Sequence, residues 1–327
     1  MTEKYVIVGG GPVGTETARL LTAEGHEVVV VTRSGARPDL PGVRRVAADA
    51  SDGAALTDLC EGATALFNCA NPRDYTQWAR VWPPLSAGLL TAAERSGATL
   101  VTASALYGYG PVDTPMTEGD PDWATDEKGR IRAGMWAEAK ARHDAGRIRA
   151  VEARASDYLG AGVGGNGHIT RHVPAAVRGR AAWVMGSPDL PHTWTDVLDV
   201  ARTLTALSGR PDTWGRVWHV PSHPPRTQRE ALTDVLAAVG KPPVRMFSLP
   251  KPLLSVAGRF VPLVRELNVM GYMFRRPYVM ESAITQRELG LAPTPWPEIC
   301  LRTATGNRAT PAPTPSARTP AGRPRTG

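Results

Sequence analysis

Short β-branched apolar runs alternate along this chain with stretches whose apolar residues recur every three or four positions. Tyr5-Val6-Ile7-Val8 and Val28-Val29-Val30-Val31 have the unbroken apolar character of strands buried on both faces. Between them Thr17, Ala18, Leu20 and Leu21 keep helical register until Glu24-Gly25-His26 stops it. Further strands are predicted at 43–46, 64–70, 99–104 and 149–154, and further helices at 53–60, 83–96 and 131–145. This alternation predicts an α/β fold, a Rossmann-type doubly wound parallel sheet. Beyond Asp157 the chain turns irregular and rich in Gly and Pro, with shorter helices near 196–207, 229–239 and 279–289. The expected division is a sheet domain over 1–157, a smaller substrate subdomain over 158–302 with segments returning to the sheet, and a disordered tail over 303–327.

The first strand–helix–strand unit holds Gly9, Gly11 and Gly14 in the spacing G-x-G-x-x-G. Pro12 sits where a helix can start without losing a needed N–H. In this setting the glycines let the backbone approach a pyrophosphate, and the N–H groups around Val13 at the helix start face it. Where NAD-binding units place an acid for the ribose hydroxyls, this chain has Thr32-Arg33-Ser34. Arg33 offers a cationic fork and Ser34 a hydroxyl to a 2′-phosphate, so NADP(H) is expected over NAD(H).

The apolar share of 42% over 327 residues supplies ample core. No apolar run reaches the roughly eighteen residues of a membrane span, and the first strand leaves no room for a signal peptide. Cys60, Cys69 and Cys300 lack metal-ligand spacing, so no metal site is expected and reduced thiols in the cytoplasm are. The net charge of +7 suggests nucleic acid at first sight. Yet 303–327 carries Arg308, Arg318, Arg323 and Arg325 and no acid, and the remainder shows no basic helix interleaved with aromatics. A small-molecule partner is expected, with no nucleic acid and no membrane, in a monomer or homodimer.

Several segments together resemble the extended short-chain dehydrogenases/reductases, the epimerase/dehydratase-like group, in an atypical branch. They are VGGGPVG, AADASD, NCANP, TASALYGYGPVDTPMTEGDP, RASDYLGAG and HTWTDVLDVA, and the likeness spans roughly 4–295. The resemblance implies that Asp49 contacts the adenine, that Ala70 and Asn71 line the cofactor, and that Ser104 stands at the catalytic serine position. It also implies a Tyr-x-x-x-Lys pair on one helix face, where the lysine lowers the phenol pKa for proton transfer. No tyrosine lies between Gly110 and Asp157. Lys140 is the candidate lysine, for the reaction and for the cofactor ribose, but Trp136 stands four residues before it, and an indole is no acid near neutral pH.

Replacement proton donors are sought in Tyr107 and Tyr109, in the loop after the 99–104 strand, and in His192. Trp136, Tyr158, His168, His192 and Ser104 are the expected substrate contacts. Arg259, Arg265, Arg275 and Arg276 leave room for a nucleotide sugar. The expected function is an NADP(H)-dependent oxidoreductase acting on a small carbonyl or alcohol with nonstandard proton delivery. The alternatives are an epimerase, isomerase or dehydratase of the same group, or a catalytically silent dinucleotide-binding sensor.

Overall fold

The computed structural model describes residues 1–36, 39–72, 74–249 and 269–306. Arg259, Arg265 and the chain from 307 onward lie outside the described residues. The strands are β1 (Lys4–Val8), β2 (Glu27–Thr32), β3 (Val43–Ala47), β4 (Ala65–Asn68), β5 (Thr99–Ala105), β6 (Ala150–Ala155), β7 (Asp157–Leu159), β8 (Ala182–Val184), β9 (Trp194–Asp196), β10 (Val217–His219) and β11 (Met246–Ser248). The helices are α1 (Pro12–Ala23), α2 (Gly53–Cys60), α3 (Trp78–Ser96), α4 (Glu127–Asp144), α5 (Val173–Ala176), α6 (Val197–Ser208), α7 (Gln228–Ala237), α8 (Ala283–Leu289) and α9 (Trp296–Thr305).

Seven strands form one parallel sheet in the order β10-β6-β5-β4-β1-β2-β3. Alternate residues of the apolar strands serve opposite faces, which is why the runs are unbroken. Ile7, Val28, Val30 and Phe67 pack with Leu21 of α1 and Val200 and Leu204 of α6. Val6, Val29, Val31 and Leu66 pack with Leu56 of α2 and with Trp78, Trp82 and Leu89 of α3. From the central β1 the chain winds outward to β3, then returns to β4 on the other side of β1. That reversal opens a crevice at the carboxyl ends of the strands, where open α/β sheets bind ligands.

β7 pairs with β9, and β8 with β11, in two small parallel sheets. The segment after residue 269 folds back over the site side of the molecule. Isolated bridges join Met116 to Met280 and His192 to Tyr278. Among the described residues no helix is long and apolar enough to cross a membrane.

Two boundaries differ from the sequence expectation. α9 runs three residues past the expected limit at 302, because Thr303 Oγ1 accepts a hydrogen bond from the Gly160 N–H at 2.8 Å. α4 begins at Glu127 and not near 131, because Asp126 caps it by accepting from the Gly129 N–H at 2.9 Å. The second difference alters the site.

Candidate functional site

Gly9 sits at φ 111°, a left-handed conformation that favours glycine. A side chain there would meet the Cys69 carbonyl at 2.6 Å, so the β1–α1 turn lies directly on the end of β4. A Cβ on Gly14 would collide with the Gly9 carbonyl oxygen. Gly11 is different: a Cβ there meets nothing within 4 Å. Gly11 caps α1 with no side-chain acceptor, and Pro12 occupies the first turn. The N–H groups of the first turn, including those of Val13 and Gly14, have no intrahelical partner by construction. The turn is a cradle open on the Gly11 side, of the shape an anion takes up at a helix N-terminus.

Thr32 closes β2, and Arg33 and Ser34 follow it exposed. Asp49 lies within electrostatic reach of Arg33. Hydrogen bonds from the Ser51 N–H and hydroxyl, at 2.9 and 2.8 Å, hold its carboxyl below the ordinary value, with a smaller push from Arg33. Ala70 and Asn71 follow β4, and the Ala70 N–H donates to Asn68 Oδ1 at 3.3 Å. The turn, the end of β2 and the end of β4 therefore share one edge of the sheet.

Ser104 is buried near the carboxyl end of β5, in register with Arg154 of β6. The turn after β5 carries Tyr107, whose hydroxyl lies 3.5 Å from that of Tyr75. Burial and the neighbouring Tyr75 and Asp157 push the Tyr107 phenol well above its ordinary value. Tyr109 is buried in the cluster that holds Phe274 and Tyr278. Its hydroxyl meets His219 Nε2 at 2.7 Å, and its ring lies under the guanidinium of Arg154.

On α4 the residues pointing inward are not the expected ones. Lys140 is exposed, and its ammonium holds both oxygens of Asp144, one turn on, at 2.6 Å. Trp136 is half-buried under the sheet, lining a small cavity with Asn68, Leu89, Leu100, Met135 and Glu152. The polar pair spaced by four on the buried face is Lys128 and Arg132, only 2% and 6% exposed. Arg132 Nη2 donates to the Ala103 carbonyl of β5 at 3.3 Å, while Nε and Nη1 are buried without a partner. Tyr75, Tyr107 and Tyr158 lie within electrostatic reach of this guanidinium. The signal for this pair was in the sequence: Asp126 as a helix cap, followed by Lys-Gly-x-x-Arg.

A second cluster lies just past the end of β6. His192 Nε2 bonds Asp157 Oδ2 at 2.8 Å, and its ring stacks on Phe274 and Tyr278 at 5.1 and 5.2 Å. Burial opposes ionisation of Asp157, but the hydrogen bond and charge of His192 outweigh it and hold the carboxyl below the ordinary value. His168 stacks on the same Phe274 at 3.7 Å; burial pushes it down to about 3, and its Nε2 has no partner. Tyr158, next to Asp157, is pushed up to about 12 by burial. The Tyr278 hydroxyl is also buried and unpartnered. The structure thus brings Tyr107, Tyr158, His168 and His192 around Asp157. Tyr75, Asp157, Tyr278 and Arg132 complete the surroundings and, with the buried Lys128, were not singled out as site residues from sequence.

The model of the NAD dependent epimerase/dehydratase family matches residues 5–220. The chain belongs to this family. Its cofactor class is a nicotinamide dinucleotide, and the open glycine cradle and the two orphaned donor nitrogens of Arg132 suit such a group. Among solved structures, the epimerase Mth375 of Methanothermobacter thermautotrophicus aligns with TM-score 0.78 at 17% identity, covering 93% of this chain and 92% of that one. The UDP-glucose 4-epimerase of Thermotoga maritima, solved with UDP-glucose, aligns with TM-score 0.74 at 14% identity over 92% and 97%. The dTDP-glucose 4,6-dehydratase of Bacillus anthracis, solved with NAD, aligns with TM-score 0.74 at 15% identity over 93% and 96%. At these identities the likeness is one of fold. No curated protein matches the sequence. On the buried face of α4 this member presents Lys128-x-x-x-Arg132.

Proposed function

We propose that this protein is an NADP(H)-dependent oxidoreductase acting on a carbonyl or alcohol, with the proton supplied from outside α4. Bound in the crevice, the nicotinamide dinucleotide supplies or accepts the hydride. The observation that carries the reading is Arg132, a buried guanidinium with two unused donor nitrogens beside the end of β5. Buried donors without partners are costly in a finished interior and are expected where a polar ligand completes the site. The glycine cradle takes the pyrophosphate at the start of α1. Arg33 and Ser34 take the 2′-phosphate, with no acid at the end of β2 to repel it. Arg132 and Lys128 hold the ribose side, and Ser104 orients the substrate oxygen.

A second reading keeps the same site but returns the hydride to the substrate, as in an epimerase or dehydratase. The names of the Thermotoga and Bacillus proteins favour it, as does NAD in the latter. Fluorescence titration with NADPH and NADH tests the shared part; binding of neither would end both readings. Deuterium at nicotinamide C4 then separates them in a cell-extract incubation. An oxidoreductase consumes NADPH and leaves the label in product. An epimerase or dehydratase consumes none.

A further inference from the structure

Removing the phenol from α4 leaves the site in need of another group that can exchange a proton. The buried tyrosines are poorly suited. Burial raises Tyr75, Tyr107, Tyr158 and Tyr278 alike, so none is held as phenolate. Lys128 and Arg132 bring cations, which attract an oxygen without accepting a proton from it. Asp157 differs from all of these. It opens β7 three residues past Arg154, the register partner of Ser104, and so stands at the same strand-end edge. One carboxylate oxygen is held by His192 at 2.8 Å, and the side chain retains 21% exposure.

We propose that Asp157 is the proton-exchanging residue of this site and that His192 is its positioning partner. The proposal rests on the hydride-transfer reading above. As the substrate alcohol is oxidised, its O–H bond breaks, the proton passes to the Asp157 carboxylate, and the bonding pair stays on the substrate oxygen. In reduction the same proton returns to the carbonyl oxygen. His192 fixes the carboxylate through Oδ2. His192 is fixed in turn by Phe274 and Tyr278 stacked against it. The unpartnered His168 Nε2 and Tyr278 hydroxyl offer polar contacts to a neighbouring oxygen of the substrate.

The groups facing Asp157 limit what else can titrate there. They are Tyr75 before α3, Tyr107 after β5, the adjoining Tyr158, His168 and Arg171 from the loop before α5, and Tyr278. The phenols stay protonated and His168 stays neutral through the neutral range. His172, four residues on from His168, is also held below its ordinary value by burial and Arg171.

The test needs no substrate. Affinities of the whole protein for NADP⁺ and NADPH are measured by titration from pH 4 to 7.5. The ratio of the two cancels titration of the cofactor's own phosphates. The positive nicotinamide ring of NADP⁺ favours the ionised Asp157, so NADP⁺ gains affinity relative to NADPH as pH rises through the acid end of that range, up to about tenfold per pH unit. Asp157→Asn and His192→Gln, which keep hydrogen-bonding capacity, should each flatten that ratio while NADPH still binds. NADPH binding is the check on folding in both variants. A flat ratio in the wild type, or an undiminished slope in both variants, would overturn the assignment. Failure of both cofactors to bind at every pH would overturn it together with the hydride-transfer reading.

Discussion

The guanidinium carbon of Arg132 stands 4.5 Å over the ring centre of Trp82, while Nε and Nη1 bind nothing. A charge buried at 6% exposure with unused donors is a poor device for stability, because its desolvation is only partly offset. Arg132→Met should therefore leave Tm unchanged or raise it. It should also weaken NADPH and NADH alike by about 1.5–3 kcal/mol, as loss of a charged hydrogen bond does. A lowered Tm with unchanged cofactor affinity would mark Arg132 as structural.

The two glycines of the β1–α1 turn should separate folding from binding. Gly14→Ala drives a methyl into the Gly9 carbonyl and should cost about 1–3 kcal/mol in denaturant unfolding. Gly11→Ala meets open space at φ −75° and should cost less than about 1 kcal/mol. Its methyl lies in the cradle, so the cofactor should still be lost. Normal dinucleotide affinity in Gly11→Ala would remove the pyrophosphate from this turn.

Arg33 decides between the two dinucleotides. Arg33→Ala should weaken NADPH by about 1.5–3 kcal/mol and leave NADH nearly unchanged, read by fluorescence titration. Equal losses, or none, would return the preference to NAD(H), with Asp49 as the nearby acid.

Acid should destabilise the fold through His219. Its Nδ1 faces the Glu281 carbonyl at 2.6 Å and must donate, so Nε2 accepts from Tyr109. Burial pushes its pKa down from 6.5 to about 4. A histidine depressed on folding contributes its full stability above pH 6.5 and loses it as pH falls toward 4, since only the unfolded chain takes up the proton there. The loss should approach about 1.4 kcal/mol per pH unit in that window. His219→Gln can keep one donor and one acceptor and should flatten the slope in urea melts at pH 7.5, 6 and 5. An unchanged slope would assign acid sensitivity elsewhere, with His168 the next candidate.

The sheet was legible because each of its strands is an apolar run, and the dinucleotide turn because three glycines occur in a strand–turn–helix setting. α4 was legible as a helix and misread in register. Its polar residues surround it on every side, so no apolar stripe marked the buried face, and the eye went to Trp136 and Lys140. The helix starts at Glu127, four residues before the expected 131, with Asp126 as its cap. Lys140 pairs with Asp144, while Lys128 and Arg132 are buried. Lys140→Ala should accordingly cost no more than about 0.5 kcal/mol. Asp157 was hidden for another reason. Its meaning depends on His192, which is distant in sequence and meets it through the β7–β9 pairing.

The Thr193 N–H reaches the Tyr278 carbonyl at 2.9 Å, the Tyr278 N–H reaches the Pro191 carbonyl at 2.9 Å, and the Met280 N–H reaches Thr193 Oγ1 at 3.0 Å, across 87 positions of chain. During synthesis, the imidazole of His192 therefore lacks its final neighbours until the chain has been made past residue 280. Contacts of such separation form late, because a long loop must close before they stabilise anything. The β1–α1–β2 unit has no such wait. On a growing chain the cradle for the dinucleotide precedes the proton-handling side by most of the length of the protein.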